Sequence, residues 1–442
     1  MELSRHNILT KIHERDEYLL VNLLSREADV LSAAEGARLL RGEHRDDAEL
    51  VRKGYVVDPQ EEARRYRAAY LDFVDARDND ELQLFYVPSY ACNFGCSYCY
   101  QDEYAAPAAG APDAAPDAVL AAFFAYVDEV FAERRKYVTV FGGEPLLPSA
   151  AARRAVEGLV EGTARRGLDL AVVTNGYHLA EYLPLLGRAR IREVQITLDG
   201  TEKVHDARRY LKGGGSTFAP IVAGIDACLA AGLPVNLRSV VDRDNVAGFR
   251  ELAHFAIDRG WTKSPLFKTQ IGRNYELHHC QGEQARLYSR LSLYEDLHAL
   301  VQADPALLAF HRPAFSVARF LFSEGELPDP LFDACPACKT EWAFDASGRI
   351  YPCTANVGKP GESVGSFYPT RRLDEAAVAA WQERDVAGVA ACRDCALALA
   401  CGGGCGAVAK NRTGTIDAPD CRPVRELLAL GAGLYGAADA PA

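Results

Sequence analysis

The period of the hydrophobic and polar positions changes along the chain, and each change predicts a different kind of element. Near the N-terminus the apolar runs are short and predict, in order, two strands, two helices and a strand at residues 7–12, 18–23, 32–40, 49–55 and 56–57. Ser32 stands where a serine would cap the first helix. Residues 1–80 are therefore predicted to form a small α+β module.

From residue 82 the pattern becomes a regular alternation of apolar runs and amphipathic stretches. The apolar runs predict strands at residues 82–88, 137–141, 170–174, 193–198, 235–241 and 266–270. The stretches between them predict helices at residues 117–131, 150–166, 179–186, 221–231 and 247–258. Strands that alternate with helices predict a parallel sheet. Six such units with short loops favour a partial (β/α)6 TIM-type barrel over a two-winged open sheet, so we predict an α/β fold with this barrel at residues 81–275.

The alternation stops after residue 275. Residues 276–334 are predicted to be a helical bridging region, and residues 335–430 a separate cysteine-rich domain. The segment 431–442 is rich in Ala and Gly, and a frayed helix is expected after Leu428. An Ala- and Pro-rich stretch at residues 105–116 predicts a mobile loop.

Composition excludes several classes of function. The chain has 442 residues, of which 49% are hydrophobic, and a formal net charge of −12 without any basic run. Nucleic acid and anionic membrane surfaces are therefore not expected as partners. The charged N-terminus lacks the apolar core of a signal peptide, and no apolar run reaches the length of a membrane span. We expect a cytoplasmic protein.

The 13 cysteines are unevenly distributed. Disulfides do not persist in a reducing cytosol, so clustered cysteines indicate metal binding. Three lie within residues 92–99 and eight within residues 335–421. Cys228 lies among apolar residues of a predicted helix and is expected to be a buried small hydrophobic residue, whereas Cys280 has no assigned role.

Cys92, Cys96 and Cys99 form a Cys-x3-Cys-x2-Cys loop directly after the first barrel strand. Three thiolates in one tight loop can hold three corners of a cubane iron–sulfur cluster, whereas full ligation takes four. The remaining iron is then open, and an open iron can bind and activate a substrate. This spacing predicts a cluster that takes part in chemistry.

Further polar and glycine residues lie at the ends of later strands, where a parallel barrel places its active site. They are Gly142, Gly143, Glu144, Pro145, Thr174, Asn175, Thr197, Asp199, Arg209 and Arg238. Two glycines allow close backbone approach to a ligand, and a glutamate can accept hydrogen bonds from an amine. Each of these short motifs alone is typical of an ordinary turn, but their order on successive strands after the cysteine loop is specific.

This order resembles the radical S-adenosylmethionine (SAM) enzymes across residues 80–275. The resemblance implies that the three cysteines ligate a 4Fe–4S cluster, that SAM binds the open iron, and that one electron cleaves SAM to methionine and a 5′-deoxyadenosyl radical. It also implies that Tyr98 packs near the adenine and that Glu144 with its glycines binds the SAM amine. Thr197 and either Arg209 or Arg238 are the candidates for the SAM carboxylate.

The distal cysteines resemble the SPASM domain, which carries auxiliary clusters in peptide- and protein-modifying radical SAM enzymes. Seven positions match, and Cys335 supplies an eighth thiol. The resemblance implies two auxiliary 4Fe–4S clusters, one on Cys335, Cys338, Cys353 and Cys405, the other on Cys392, Cys395, Cys401 and Cys421. The alternative is structural zinc, because both Cys-x2-Cys pairs have zinc-knuckle spacing.

These resemblances imply an oxidoreductase that acts on a peptide or protein, with an external reductant such as flavodoxin or ferredoxin. The N-terminal module resembles the winged modules that bind precursor peptides, although a simple packing extension is the alternative. The first hypothesis is oxidative crosslinking of a ribosomally made precursor peptide, through a thioether or carbon–carbon bond. The second is a sulfatase-maturing, formylglycine-generating enzyme, which is disfavoured because Thr354 stands where that branch usually carries an Asp. The third is a non-catalytic zinc-binding interaction protein.

Overall fold

The N-terminal module is built around a three-stranded antiparallel sheet. The computed structural model describes residues 1–43, 47–101, 116–273 and 287–436. The module's elements are β1 (Glu2–Leu3), β2 (Asn7–Lys11), β3 (Glu17–Asn22), β4 (Glu27–Ser32), α1 (Ala33–Leu40), α2 (Ala48–Arg52), β5 (Val56–Val57) and α3 (Pro59–Asn79). Strands β2, β3 and β4 pair in that order, and β1 pairs with β5. Ser32 caps α1 as predicted, in a capping box with Glu35.

The sequence did not predict helix α3, which has 21 residues. Its surface is so polar that Glu62 is its one fully buried side chain within the described residues. The contact that holds it is aromatic, because Tyr66, Tyr70 and Phe73 surround Phe332 with ring centroids 5.2, 5.4 and 5.6 Å away. Their spacing in sequence is that of one helix face. An N-terminal helix is thereby attached to the cysteine-rich domain.

The central region alternates strands with helices. Its elements are β6 (Leu82–Val87), α4 (Pro116–Val130), β7 (Lys136–Val140), α5 (Ala150–Arg166), β8 (Leu170–Thr174), α6 (Leu179–Leu186), β9 (Ile191–Thr197), α7 (Glu202–Arg208), α8 (Phe218–Ala230), β10 (Val235–Val241), α9 (Phe249–Asp258) and β11 (Phe267–Arg273). Strands β6 to β11 lie side by side in chain order, and all are parallel. A doubly wound sheet would reverse its order at a switch point. The predicted α/β fold with a partial barrel is therefore confirmed.

The C-terminal region extends the same sheet. Its elements are α10 (Arg290–Ala303), α11 (Ala318–Glu324), β12 (Glu341–Asp345), β13 (Arg349–Tyr351), β14 (Gly365–Ser366), β15 (Arg372–Leu373), α12 (Glu375–Glu383), α13 (Ala398–Cys401), α14 (Gly406–Thr413) and α15 (Val424–Tyr435). Strand β12 pairs in parallel with β6, and β13 to β15 continue the sheet as antiparallel strands. The cysteine-rich region is therefore joined to the barrel through backbone hydrogen bonds. The sequence did not predict this pairing, because β12 is short and its partner is remote in the chain.

The expectation of a frayed helix after Leu428 is wrong. Helix α15 continues to Tyr435, and Leu428, Ala432 and Tyr435 are buried. The Tyr435 hydroxyl donates to the carbonyl oxygen of Pro313 at 2.6 Å. Residues 437–442 lie outside the described residues, as do the predicted loop at 105–115 and Cys280.

Two other expectations can be compared with the structure. Cys228 is fully buried in the core on α8, which confirms that it is a small hydrophobic residue. Among the helices described, none is long and apolar enough to cross a membrane.

Candidate active site

The three-cysteine loop lies at the carboxyl end of β6 and is held by the chain that follows α7. The amide of Gly95 donates to the carbonyl of Tyr210 at 2.9 Å, and the amide of Ser97 to the carbonyl of Arg208 at 3.0 Å. Phe94 is buried at the centre of the loop. The backbone of the loop is therefore fixed while Cys92, Cys96 and Cys99 remain partly exposed.

Burial makes these thiols reluctant to ionise. Burial, with a smaller contribution from the neighbouring thiols, raises the pKa of Cys92 to about 11 and that of Cys96 to about 12. The Arg209 guanidinium acts in the opposite direction on both cysteines. Metal ligation requires the thiolate. The arrangement therefore suits a centre whose metal charge, assisted by Arg209, offsets the negative charge of the sulfurs.

Glu144 connects the predicted strand-end motifs. Its side chain is buried, and its carboxylate accepts hydrogen bonds from the Thr174 hydroxyl at 2.6 Å and from the amides of Asn175 and Leu146 at 2.6 and 2.8 Å. Burial raises its pKa. The predicted contact of Glu144 with an amine stays a prediction. In this structure the carboxylate ties the ends of β7 and β8 together.

The two glycines before Glu144 make room for protein backbone. A Cβ on Gly143 would lie 2.3 Å from the carbonyl oxygen of Ala91 and 2.4 Å from that of Tyr90. The Glu144 amide donates to the same Ala91 carbonyl at 2.8 Å. The glycine thus lets the end of β7 pass directly under the segment that leads into Cys92.

Asn93 was not among the predicted site residues, although it lies between the first two cysteines. Its side-chain oxygen accepts a hydrogen bond from the side-chain amide of Asn175 at 2.8 Å, which connects the cysteine loop to the end of β8. Its own amide nitrogen is buried and has no hydrogen-bond partner among the described residues. The Nε atom of Arg209 is likewise buried and has no hydrogen-bond partner among the described residues. Two unpaired donors beside the cysteine loop fit an acceptor-rich group such as a cluster with its bound carboxylate.

Tyr98 and Arg209 form one side of the site. Arg209 donates to the Tyr98 hydroxyl at 2.7 Å, and the Arg208 guanidinium lies 5.2 Å from the Tyr98 ring centre. Arg208, which was not a predicted site residue, forms two 2.9 Å bonds with Asp242 and a 3.2 Å bond with Asp199. Asp199 also accepts from the Val240 amide at 3.0 Å. Protein donors thus contact both oxygens of Asp199, a predicted cofactor contact.

The remaining predicted residues lie at the same end of the barrel. Thr197 is the last residue of β9 and pairs in register with Arg238 of β10. Pro145 is buried and follows Glu144. The structure therefore brings the predicted residues of β7 to β10 to the carboxyl ends of their strands, which we call the barrel mouth.

The inner face of the barrel carries many polar side chains beside an apolar cluster that includes Phe85, Val87 and Ala343. Tyr86 and Phe344 pack on Phe123 of α4 at 4.8 and 5.2 Å, so the alternate residues of β6 and β12 face inward. The polar inward positions are Gln83, Thr139, Glu193, Gln195, Asn236, Arg238, Gln270 and Glu341. Closed barrels fill this space with branched apolar side chains. The interior of this barrel therefore presents polar groups toward the barrel mouth.

Tyr100 connects the first cysteine loop with the C-terminal cysteines. Burial raises its pKa, the thiols of Cys99 and Cys353 raise it further, and Arg238 opposes them. Its hydroxyl lies 3.5 Å from the carbonyl oxygen of Thr354. The Glu341 carboxylate accepts from the Thr354 amide at 2.6 Å and hydroxyl at 2.8 Å. Sequence reasoning missed Tyr100 and Glu341, although Tyr100 directly follows the cysteine motif.

Electrostatic interactions link the C-terminal cysteines into two groups of four. In the first, burial raises the pKa of Cys338, Cys353 and Cys405, and the Cys335 thiol raises each of them further. Cys405 also raises the pKa of Cys353. We call these four residues tetrad A.

In the second group, burial and then the thiols of Cys401, Cys395 and Cys421 together raise the pKa of Cys392 to about 11. Burial, Cys401 and Cys395 likewise raise the pKa of Cys421. We call these four residues tetrad B. These are the two sets of ligands that the SPASM resemblance implies, and cluster binding by either set stays a prediction. In the described parts of the chain, no three His, Cys, Asp or Glu side chains are arranged around a single metal ion.

Arg384 fixes the segment between the tetrads. Its buried guanidinium donates to the carbonyls of Gly403 and Gly404 at 3.0 and 3.1 Å, and to those of Ile416 and Ala418 at 2.6 and 3.0 Å. The run Gly402–404 adopts positive φ angles of 62°, 72° and 70°, which side chains rarely allow. This run separates Cys401 of tetrad B from Cys405 of tetrad A. No motif in the sequence identified Arg384.

Residues 86–256 match the Radical SAM superfamily. The chain carries a Radical SAM domain. Curated relatives include the GTP 3′,8-cyclase of Ectopseudomonas mendocina (strain ymp), 28% identical over 222 residues, which are 48% of this chain and 61% of the relative. The GTP 3′,8-cyclase of Campylobacter fetus subsp. fetus (strain 82-40) is 31% identical over 178 residues, 38% of this chain and 50% of the relative. This chain therefore spans 50–61% of the length of these curated relatives.

Solved structures resemble more of the chain. Native anSMEcpe with bound AdoMet and the Cp18Cys peptide has a TM-score of 0.60 and 16% identity, covering 81% of this chain and 98% of that one. Streptococcus suis SuiB bound to S-adenosylmethionine has a TM-score of 0.52 and 15% identity, covering 96% and 99%. SuiB bound to the precursor peptide SuiA has a TM-score of 0.50 and 15% identity. At these identities the likeness concerns the fold.

Proposed function

We propose that this protein is a radical SAM enzyme of the SPASM type that oxidatively crosslinks a ribosomally made precursor peptide. The observation that carries the proposal is the association of a three-cysteine loop at the barrel mouth with two further groups of four cysteines. Tyr100 lies between the loop and tetrad A. The resemblance of nearly the whole chain to SuiB, which was solved with a precursor peptide, supports the choice of a peptide substrate.

The residues at the barrel mouth fit the proposed cofactors. Cys92, Cys96 and Cys99 would hold a 4Fe–4S cluster, and SAM would bind beside it. Together these groups supply radical chemistry that removes a hydrogen atom from the substrate. The unpaired Arg209 Nε and Asn93 amide would donate to this assembly. The hydrogen bonds of Glu144 would keep the surrounding loops fixed.

Tetrads A and B would each hold an auxiliary 4Fe–4S cluster, which would make three clusters in all. Closing a thioether or carbon–carbon bond removes two hydrogen atoms from the peptide. After the first hydrogen atom is abstracted, one electron and one proton therefore have to leave the substrate. Tetrad A is the candidate acceptor, because Cys353 lies beside Tyr100 and close to the polar interior. A flavodoxin or ferredoxin would supply the reducing electron.

The N-terminal module would bind the leader segment of the peptide. Strand β4 is paired with β3 and with no other strand in the described residues, so it presents a free edge to which a peptide strand can add. Val30 on β4 is 47% exposed and Leu40 on α1 is 67% exposed, which provides apolar contacts beside that edge. The opposite edge is covered, since Arg425 of α15 donates to the carbonyl of Leu9 on β2 at 2.9 Å.

A specific observation favours the second candidate, a formylglycine-generating maturase. Thr354 replaces the Asp that is usual in that branch, but Thr354 itself holds the buried carboxylate of Glu341 in two hydrogen bonds. A carboxylate is therefore available at that place. The overall fold also resembles anSMEcpe, with a TM-score of 0.60.

Iron and sulfide analysis tests the proposed cofactors. After anaerobic reconstitution, we expect about twelve iron and twelve sulfide per chain, as three cubanes require. Replacement of Cys392, Cys395, Cys401 and Cys421 by Ala should remove about four of each. Zinc in place of iron would contradict the proposal and support a zinc-binding interaction protein.

Mass spectrometry of the product tests the substrate class. The reconstituted enzyme is incubated with SAM, a reductant and a peptide encoded by a short cysteine-rich reading frame beside its gene. Loss of two hydrogen atoms from a peptide with an internal crosslink supports the proposal. A formylglycine residue in a neighbouring sulfatase supports the second candidate, and cyclisation of GTP would contradict both.

A further inference from the structure

A separate cavity of about 290 Å³ lies between the bridging helices and the cysteine-rich domain. Residues of α10, α11, α13 and α15 and of the segments beside them line it, and none of them belongs to the barrel mouth. Its size is at the lower end of the range of small-molecule sites. Tyr294, Phe320 and Leu427 give it largely apolar walls.

Two arginines, Arg290 and Arg422, share this cavity. Neither guanidinium forms an ion pair or a side-chain hydrogen bond within the described residues, and the buried Nε atom of Arg422 has no partner there. The one carboxylate of the lining, Asp329, is already paired with Arg26 at 2.9 Å. Two guanidinium groups therefore face a small, largely apolar space whose one lining carboxylate is already paired with another arginine.

Unpaired hydrogen-bonding atoms line the same cavity. The Nε atom of Arg422 and the hydroxyl of Ser316 are buried and have no partner among the described residues. Buried polar atoms without partners are rare in folded proteins and call for a ligand or water. Ser316 and the preceding Phe315 both have positive φ angles, 59° and 45°, so this wall of the cavity is held in a conformation that L-residues seldom adopt.

From this geometry we propose that the cavity binds a carboxylate carried on a small apolar group. Arg290 and Arg422 would clamp the carboxylate with charge-assisted hydrogen bonds, and the Ser316 hydroxyl would donate a third. The apolar part would lie against Tyr294, Phe320 and Leu427. Such a ligand is either a free branched-chain acid or the C-terminal residue of a peptide. This inference is independent of the proposed radical chemistry.

Calorimetric titration of the full-length holoprotein tests the proposal with 4-methylpentanoate as probe. Its neutral analogue 4-methylpentanamide has the same shape without the charge. We expect the acid to bind at least about tenfold more tightly than the amide, because the amide cannot form charge-assisted bonds with both arginines. Competition by a peptide ending in a free leucine carboxylate, and not by the same peptide amidated, identifies a peptide terminus as the source. Without that competition, the source is a free acid.

Variants separate binding from folding. Arg290→Gln should weaken binding of the acid at least about tenfold, and Arg290→Lys should restore part of the loss. Arg290→Met keeps the aliphatic stem and serves as a second variant if Arg290→Gln is unstable. Arg312→Gln, on a nearby exposed arginine outside the cavity, is the matched control and should bind as the parent does. Three results would overturn the proposal. They are equal binding of the acid and the amide, full binding of the acid by both Arg290→Gln and Arg290→Met, and no binding of the acid by the parent protein.

Discussion

The Glu144 carboxylate accepts a hydrogen bond from the Thr174 hydroxyl at 2.6 Å, although the two residues follow different strands of the barrel. Together with its bonds to the amides of Asn175 and Leu146, this contact holds two strand ends beside the cysteine loop. Asn175 carries the connection on to Asn93 within that loop. Positions that looked like separate ligand contacts in the sequence thus form one supporting network.

We expect Glu144→Gln to weaken this network. Gln offers one oxygen to three donors, so at least one buried donor loses its acceptor, which costs about 1–3 kcal/mol of unfolding free energy. Denaturant unfolding of the purified protein measures the change. Glu181→Gln, on an exposed glutamate of α6, is the control and should be nearly neutral. An equally small effect at Glu144 would show that its hydrogen bonds do not support the barrel mouth.

Gly143→Ala should displace the cysteine loop. The added Cβ would lie 2.3 Å from the Ala91 carbonyl oxygen, and the backbone on each side is fixed by hydrogen bonds. We expect a lower iron content and a lower thermal midpoint. Gly213→Ala is matched to it, because a Cβ there has open space around it. If both variants retain iron equally, the close approach at Gly143 has no bearing on cluster binding.

Arg384→Lys should affect the tetrads more than the barrel mouth. A lysine cannot reach the four carbonyl oxygens that the guanidinium holds, so the Gly402–404 run loses its support. We expect loss of up to about eight of twelve iron atoms while cleavage of SAM continues. Arg393 is exposed and lies between Cys392 and Cys395 in the sequence, so the control variant Arg393→Lys should retain its iron atoms. Iron content that is unchanged in Arg384→Lys would contradict this role.

The sequence predicted the barrel well because each strand and helix of that region carries its own local period. The assignment of the C-terminal cysteines to two clusters came from family resemblance, and it stays a prediction. It did not predict β12 or α3, because both are held by remote partners: β12 pairs with β6, and α3 packs on Phe332. Arg384 was missed for the same reason, since all of its partners are backbone carbonyls that only the folded chain brings together.

The stability of the protein should fall as the pH is lowered from 6.5 to 4. The ordinary pKa of histidine is 6.5. Burial and the charge of Arg5 lower the pKa of His6 to about 4. Burial and the charge of Arg209 lower the pKa of His205 to about 4 as well. Between these values the unfolded chain binds more protons than the native one, so acid favours unfolding. Denaturant unfolding across this range measures the slope.

His6→Gln should make this slope shallower, because one of the buried imidazoles is then absent. The comparison is made with the parent protein in the same buffers. A slope that is the same in both proteins would contradict the assignment of His6 as a group that stays neutral in the native state.

The central claim is that the loop of Cys92, Cys96 and Cys99 initiates radical chemistry with SAM. The direct measurement is formation of 5′-deoxyadenosine from SAM by the anaerobically reconstituted protein under dithionite, followed by chromatography. We predict formation by the parent protein and none above background by the variant in which all three cysteines are Ala. The account would be contradicted if the triple variant formed 5′-deoxyadenosine at the rate of the parent. It would also be contradicted if a parent protein with full iron content formed none.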